Sequence, residues 1–171
     1  MSAPAPEVVR PLAGWPAPVS AIVLAAWIGA TLYFSVVVTR AAFAVLPTRT
    51  MAGALVGQTL PILFDTGMLV GAILVGAALL SPAGAARTAS LAGGVAIVAL
   101  TAFARIVILA RIARLRAAMP TVIDSLPVTD PSRRAFGQLH AMSVGALGLA
   151  MLIGLIVVII LVHSLSAAGH D

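Results

Sequence analysis

The chain contains no cysteine and no lysine, and very little charge of any kind. Without cysteine it can form no disulfide, no thiolate nucleophile and no Cys-ligated zinc or iron–sulfur centre. Charged residues make up 9% of the 171 positions, while 61% are apolar. A soluble domain carries about 25% charged residues. So little charge cannot cover a water-facing surface, which makes a bilayer the expected solvent. No catalytic motif, metal-ligating cluster or phosphate-binding loop is visible. The sequence therefore assigns no catalytic residue, no metal and no cofactor, and it points away from an enzyme.

All ten basic residues are arginine, and the net charge is +5. A basic balance can mean nucleic acid. Here the arginines sit at the ends of apolar runs, which is the pattern of membrane orientation signals, so no nucleic-acid partner is expected. The opening stretch MSAPAPEVVRPLAGWPAP lacks the short apolar core and cleavage site of a signal peptide. Residues 1–16 read as a disordered or surface-lying segment.

Residues 17–164 then read as an all-α, four-helix transmembrane bundle, with spans near 18–40, 53–80, 88–110 and 139–162 and a short tail over 165–171. Pro18 suits the first turn of the first helix, which could continue through AAFAVL until Pro47 breaks it. The second helix carries Gly53, Gly57, Gly67 and Gly71 on one face, a small-residue surface for close approach of another helix. Pro61 should kink it. The short link SPAGAART predicts an antiparallel hairpin into the third helix. In the loop that follows, Asp130-Pro131 reads as an N-cap followed by proline at the first helical position.

Four spans put both termini on one side. The first and third loops, near 40–50 and 111–138, carry Arg40, Arg49, Arg111, Arg114, Arg116, Arg133 and Arg134, against Arg10 and Arg87 on the other side. The positive-inside rule then places these loops in the cytoplasm and the termini outside. The arginines would also touch anionic lipid head groups.

The stretches LAAWIGATLYFSVVV and AFAVLPTRTMAGALVGQTLPILF, followed by RRAFGQLHAMS, have a recognisable order. They resemble a bacterial integral-membrane family of unknown function related to eukaryotic transmembrane protein 205. Phe136, Leu139, His140 and Ser143 look like that family's F-x-x-L-H-x-x-S signature at the start of the last helix. The resemblance implies four transmembrane helices in the bacterial inner membrane and carries no settled biochemical activity.

A few polar residues need a physical account. Asp65 lies about 18 Å inside the second helix at 1.5 Å per residue. A carboxylate there costs roughly 2.5–3.5 kcal/mol on insertion scales and is expected to face the bundle interior. Gln58, Pro61 and Asp65 share one side of that helix. Arg105, about 9 Å inside the third helix, is the natural partner, giving an expected Asp65–Arg105 pair in the bundle core. The alternatives are a snorkelling arginine and an acid that is neutral or otherwise paired. His140 and Ser143 stand one turn apart, with Phe136 on the same face.

These features leave three functions open. The first is a non-enzymatic membrane protein acting in the envelope or as a partner-binding or transport-accessory subunit, alone or as a homo-oligomer. The second is a small proton-coupled transporter using Asp65 and Arg105. The third is a haem-binding redox protein using His140, either from two subunits or with a second, unusual ligand.

Overall fold

The structure, a computed structural model, describes residues 15–118, 126–127 and 129–168. The expected N-terminal segment therefore lies outside the described residues apart from its last two positions. Four long helices follow one another: α1 (Pro16–Val45), α2 (Arg49–Leu79), α3 (Ala85–Ala117) and α4 (Pro131–Ala168). No strand occurs among the described residues.

Several helix ends have a local cause. Pro16 opens α1, where a missing N–H is harmless. Leu46 closes it in an extended conformation (ψ 141°), as the residue before Pro47 must. Thr48 then caps α2, its hydroxyl accepting from the Met51 N–H at 3.2 Å. Asp130 caps α4 as its sequence context predicts, accepting from Ser132 N–H at 2.7 Å. The C-terminal residues 165–168, expected to be tail, continue α4 instead.

Two helices are interrupted by a wider turn. Phe34–Val38 in α1 and Phe103–Ile108 in α3 are π-helical. In the first, the Thr39 N–H and hydroxyl both donate to the Phe34 carbonyl, five residues back. Ser35 donates to the Thr31 carbonyl at 2.8 Å, so side-chain hydroxyls help satisfy the disturbed ladder.

The helices form a ring in which each packs on the next and α4 closes onto α1. Leu24, Phe64, Leu74, Ile97, Ile108 and Leu161 are fully buried along its axis. The outside is equally apolar, with Ile22, Leu32, Ile62, Leu69, Val95, Ile106, Leu152 and Ile159 exposed. A helix apolar on all sides suits burial in protein on one side and lipid on the other. The chain is accordingly read as a multi-pass membrane protein with four helices long enough to span.

Small residues set the contacts. Gly71 on α2 faces Gly94 on α3 so closely that a Cβ on either would lie 2.8 Å from the other's carbonyl oxygen. Gly67 receives the Trp27 ring, and its Cβ would lie 2.9 Å from Trp27 Cζ2 and 2.8 Å from Thr101 Cγ2. Gly93 meets Val157, and Gly154 meets Leu24 and Ile28. Trp27 also donates its indole N–H to the Leu63 carbonyl at 3.3 Å, a buried bond tying α1 to α2. The expected four-glycine face is thus only half used. Gly53 has no neighbour within 4 Å of its Cβ position, and Gly57 has only the Arg116 guanidinium, at 3.4 Å. The backbones of α2 and α3 touch at Gly71, well up the helix, so the first two turns of α2 are not part of that contact.

Candidate functional site: an ion pair on the lipid face

Asp65 follows the fully buried Phe64. Successive residues of a helix are 100° apart, so burying Phe64 turns Asp65 toward the outside. The same relation holds on α3, where Ala104 is fully buried and Arg105 comes next. The two outward side chains meet, Arg105 Nε donating to Asp65 Oδ1 at 2.9 Å. Their side chains are 41% and 49% exposed, respectively.

The pair expected from the sequence therefore forms, but outside the bundle core. The core alongside is taken by Trp27, Phe64, Thr101 and Ala104, all buried, which leaves no room for two charged groups. Arg105 stands in the π turn of α3. Across that turn Ile97, Thr101, Ala104, Ile108 and Ile112 keep a common buried face, so the extra residue is absorbed while Arg105 lies along α2. π turns of this kind recur at functional sites.

The outward line of α2 extends well beyond the pair. Gln58, Ile62, Asp65, Leu69, Ala72 and Gly76 are all exposed and alternate at spacings of four and three. This is the spacing of a helix–helix seam. Ala72, Val75, Val95, Val98 and Ala99 line a shallow apolar groove between α2 and α3. It begins about two turns, roughly 10 Å, from Asp65 and Arg105 on the same two helices. A polar side chain at membrane depth, small residues beside it and an open groove together make a surface suited to another helix.

A second polar cluster lies at the loop end of the bundle. The Arg116 guanidinium covers the Phe136 ring at 5.1 Å, and Phe136 stacks on His140 with centroids 6.1 Å apart and planes at 9°. Ser143 is buried, and its hydroxyl donates to the His140 carbonyl at 2.8 Å, so its polarity is used within α4. Leu139 and Phe136 pack against the core from its edge. The motif Phe136, Leu139, His140 and Ser143 thus seats the start of α4 and presents the His140 ring at its rim. His163 is exposed at the far end of α4, and His170 lies outside the described residues. No group of three metal-ligating side chains comes together among the described residues.

Sequence reasoning paired Asp65 with Arg105 because they are the two charges set deep in apolar runs. It put Phe136 and His140 on one face of the last helix but missed the Arg116 guanidinium over the Phe136 ring, a contact made across a loop that leaves no periodic signal. It missed the π turns as well, since FSVVV and FARIVI have ordinary helical composition.

No curated protein and no solved structure matches the chain. The profile of a domain of unknown function, DUF4149, matches residues 22–121. That stretch runs from α1 to just past α3 and includes Trp27, Gly67, Asp65 and Arg105, though not the His140 motif. It covers more than half of the chain, which therefore belongs to the DUF4149 family, a family of uncharacterised function.

Proposed function

We propose that the protein is a non-enzymatic membrane subunit that works by lateral association, binding a partner helix through the α2–α3 face. The observation that carries this reading is the half-exposed Asp65–Arg105 pair. Charged side chains at membrane depth ordinarily face protein or a water-filled cavity. A pair left facing lipid is a surface still to be covered. The buried core beside it, filled by Trp27 and Phe64, favours this reading over a proton-coupled route through one subunit.

In this reading the protein lies in the bacterial inner membrane, consistent with its resemblance to the family related to transmembrane protein 205. The first and third loops face the cytoplasm, where Arg111, Arg114 and Arg134, all exposed, meet anionic head groups.

The chain has no native cysteine, so a single introduced thiol reports one position. The test is Ala72→Cys in native membranes, treated with a short bifunctional thiol cross-linker or a photoactivatable maleimide. Association predicts a discrete adduct from Ala72→Cys and none from Leu152→Cys on the exposed side of α4. Labelling of Ala72→Cys by a lipid-phase probe alone, with no protein adduct, would contradict the proposal.

A further inference from the structure

We infer that the occupant of the α2–α3 face is a second copy of this chain, arranged about a two-fold axis along the membrane normal. The inference rests on the lateral-association reading and names its partner. The argument is charge complementarity. Asp65 and Arg105 lie side by side on neighbouring helices at one depth. A two-fold axis in front of the seam between those helices, parallel to them, sets α2 of one copy against α3 of the other. It brings each Asp65 toward the opposite Arg105, and the converse, because an isologous interface presents one patch to itself. Two adjacent dipolar pairs become a ring of four alternating charges, in which every carboxylate meets a guanidinium within its own chain and another across the interface.

A partner carrying only one charge at this depth would complement Asp65 or Arg105 but not both. The second copy supplies both signs in the required order. The groove beside the pair fits the same arrangement. Ala72 and Ala99 are exposed and short, so two such faces can approach closely. Ala72 of one copy then lies near Ala99 of the other. Gln58, on the same outward line of α2, adds a polar side chain nearer the loop end.

The decisive experiment uses two differently tagged full-length chains in one membrane, D65R and R105D. Neither variant can form the pair within its own chain. Each meets like charges when it meets itself. The mixture alone sets opposite charges against each other across the interface. Co-purification of the two tags from the mixture is expected to exceed that of D65R with D65R, or R105D with R105D, by at least about tenfold, the change that 1.4 kcal/mol produces. Equal recovery in all three combinations overturns the proposal.

Should either variant fail to accumulate, the native charges are kept and thiols are used instead. Ala72→Cys in one tagged chain and Ala99→Cys in the other should form an inter-chain disulfide, while Leu152→Cys in both should not. A disulfide at Leu152→Cys with none between Ala72→Cys and Ala99→Cys overturns the two-fold arrangement. With a thiol cross-linker, an adduct from Ala72→Cys to a different protein overturns the second copy as occupant but leaves lateral association standing. No protein adduct from Ala72→Cys overturns both.

Discussion

Phe64 and Asp65 are neighbours in sequence and opposites in surroundings. Phe64 is fully enclosed, within a layer that includes Trp27, Gly67 and Thr101, whereas Asp65 stands half-exposed on the outer face with Arg105. The inner face of α2 carries what the bundle needs in order to close: two glycines that admit a ring and a backbone, and a carbonyl that accepts the Trp27 indole. The outer face carries an acid that the fold does not need for packing. Lipid offers no hydrophobic gain for bringing helices together, so fit and hydrogen bonds must do it. The inner face has those features in place. The outer face has the same kinds of feature, a polar pair and small residues, with nothing yet against them.

If this contrast is correct, substitutions on the inner face should damage the fold most. Gly71→Val would place its Cβ 2.8 Å from the Gly94 carbonyl oxygen. Backbone cannot yield as a side-chain tip does, so a loss of roughly 3 kcal/mol or more is expected, at the upper end for overpacking. Thermal unfolding in mild detergent, or the yield of folded protein, would register it. Near-normal stability would show that the α2–α3 contact is looser than the Gly71–Gly94 approach implies.

On the outer face, single and double changes should separate. Asp65→Ala leaves Arg105 unpaired at membrane depth, a situation worth roughly 2.5–3.5 kcal/mol on insertion scales before snorkelling relieves it. Removing both charges removes that penalty, so D65A/R105A should be more stable than D65A alone. A double variant as unstable as the single would place the pair among the fold's requirements.

Trp27→Phe deletes the N–H donated to Leu63 and also the edge of the indole, Cζ2 and Cε2, that lies against Gly67. Interhelical hydrogen bonds in membranes average about 0.6 kcal/mol and reach about 1.7, and the space left beside Gly67 adds to that loss, so a drop in unfolding temperature smaller than that of Gly71→Val is expected. Gly53→Ala should be smaller still and of opposite sign. Nothing lies within 4 Å of its Cβ position, and alanine exceeds glycine in helix propensity by up to about 1 kcal/mol. Destabilisation there would indicate a neighbour on that side of α2.

Much of this architecture was legible in the sequence. The four spans, the α2–α3 hairpin and the cap at Asp130 follow from run length, small turn residues and an Asp-Pro step. Asp65 and Arg105 could be paired because each is the deep charge of its helix. The side of the bundle on which they meet could not be read. Periodicity gives the angle between Phe64 and Asp65, but the rotation of a soluble helix is fixed by burying its apolar stripe. In α2 both sides are apolar, and the usual rule that intramembrane acids face inward then pointed the wrong way. The rotation is set instead by shape: Trp27 needs the gap at Gly67, and the α3 backbone needs the gap at Gly71. Gly53 and Gly57 share that periodicity but not the contact, because helices touch closely over a limited length.

The central claim is that the inner face of α2 makes the fold while the outer face makes an association. One paired measurement on D65A/R105A addresses both halves: its unfolding in detergent, and the recovery of differently tagged copies from a single membrane. The account predicts unfolding within about 1 kcal/mol of the parent protein, the range of non-critical substitutions, together with loss of association. A double variant that unfolds readily yet still associates would contradict it.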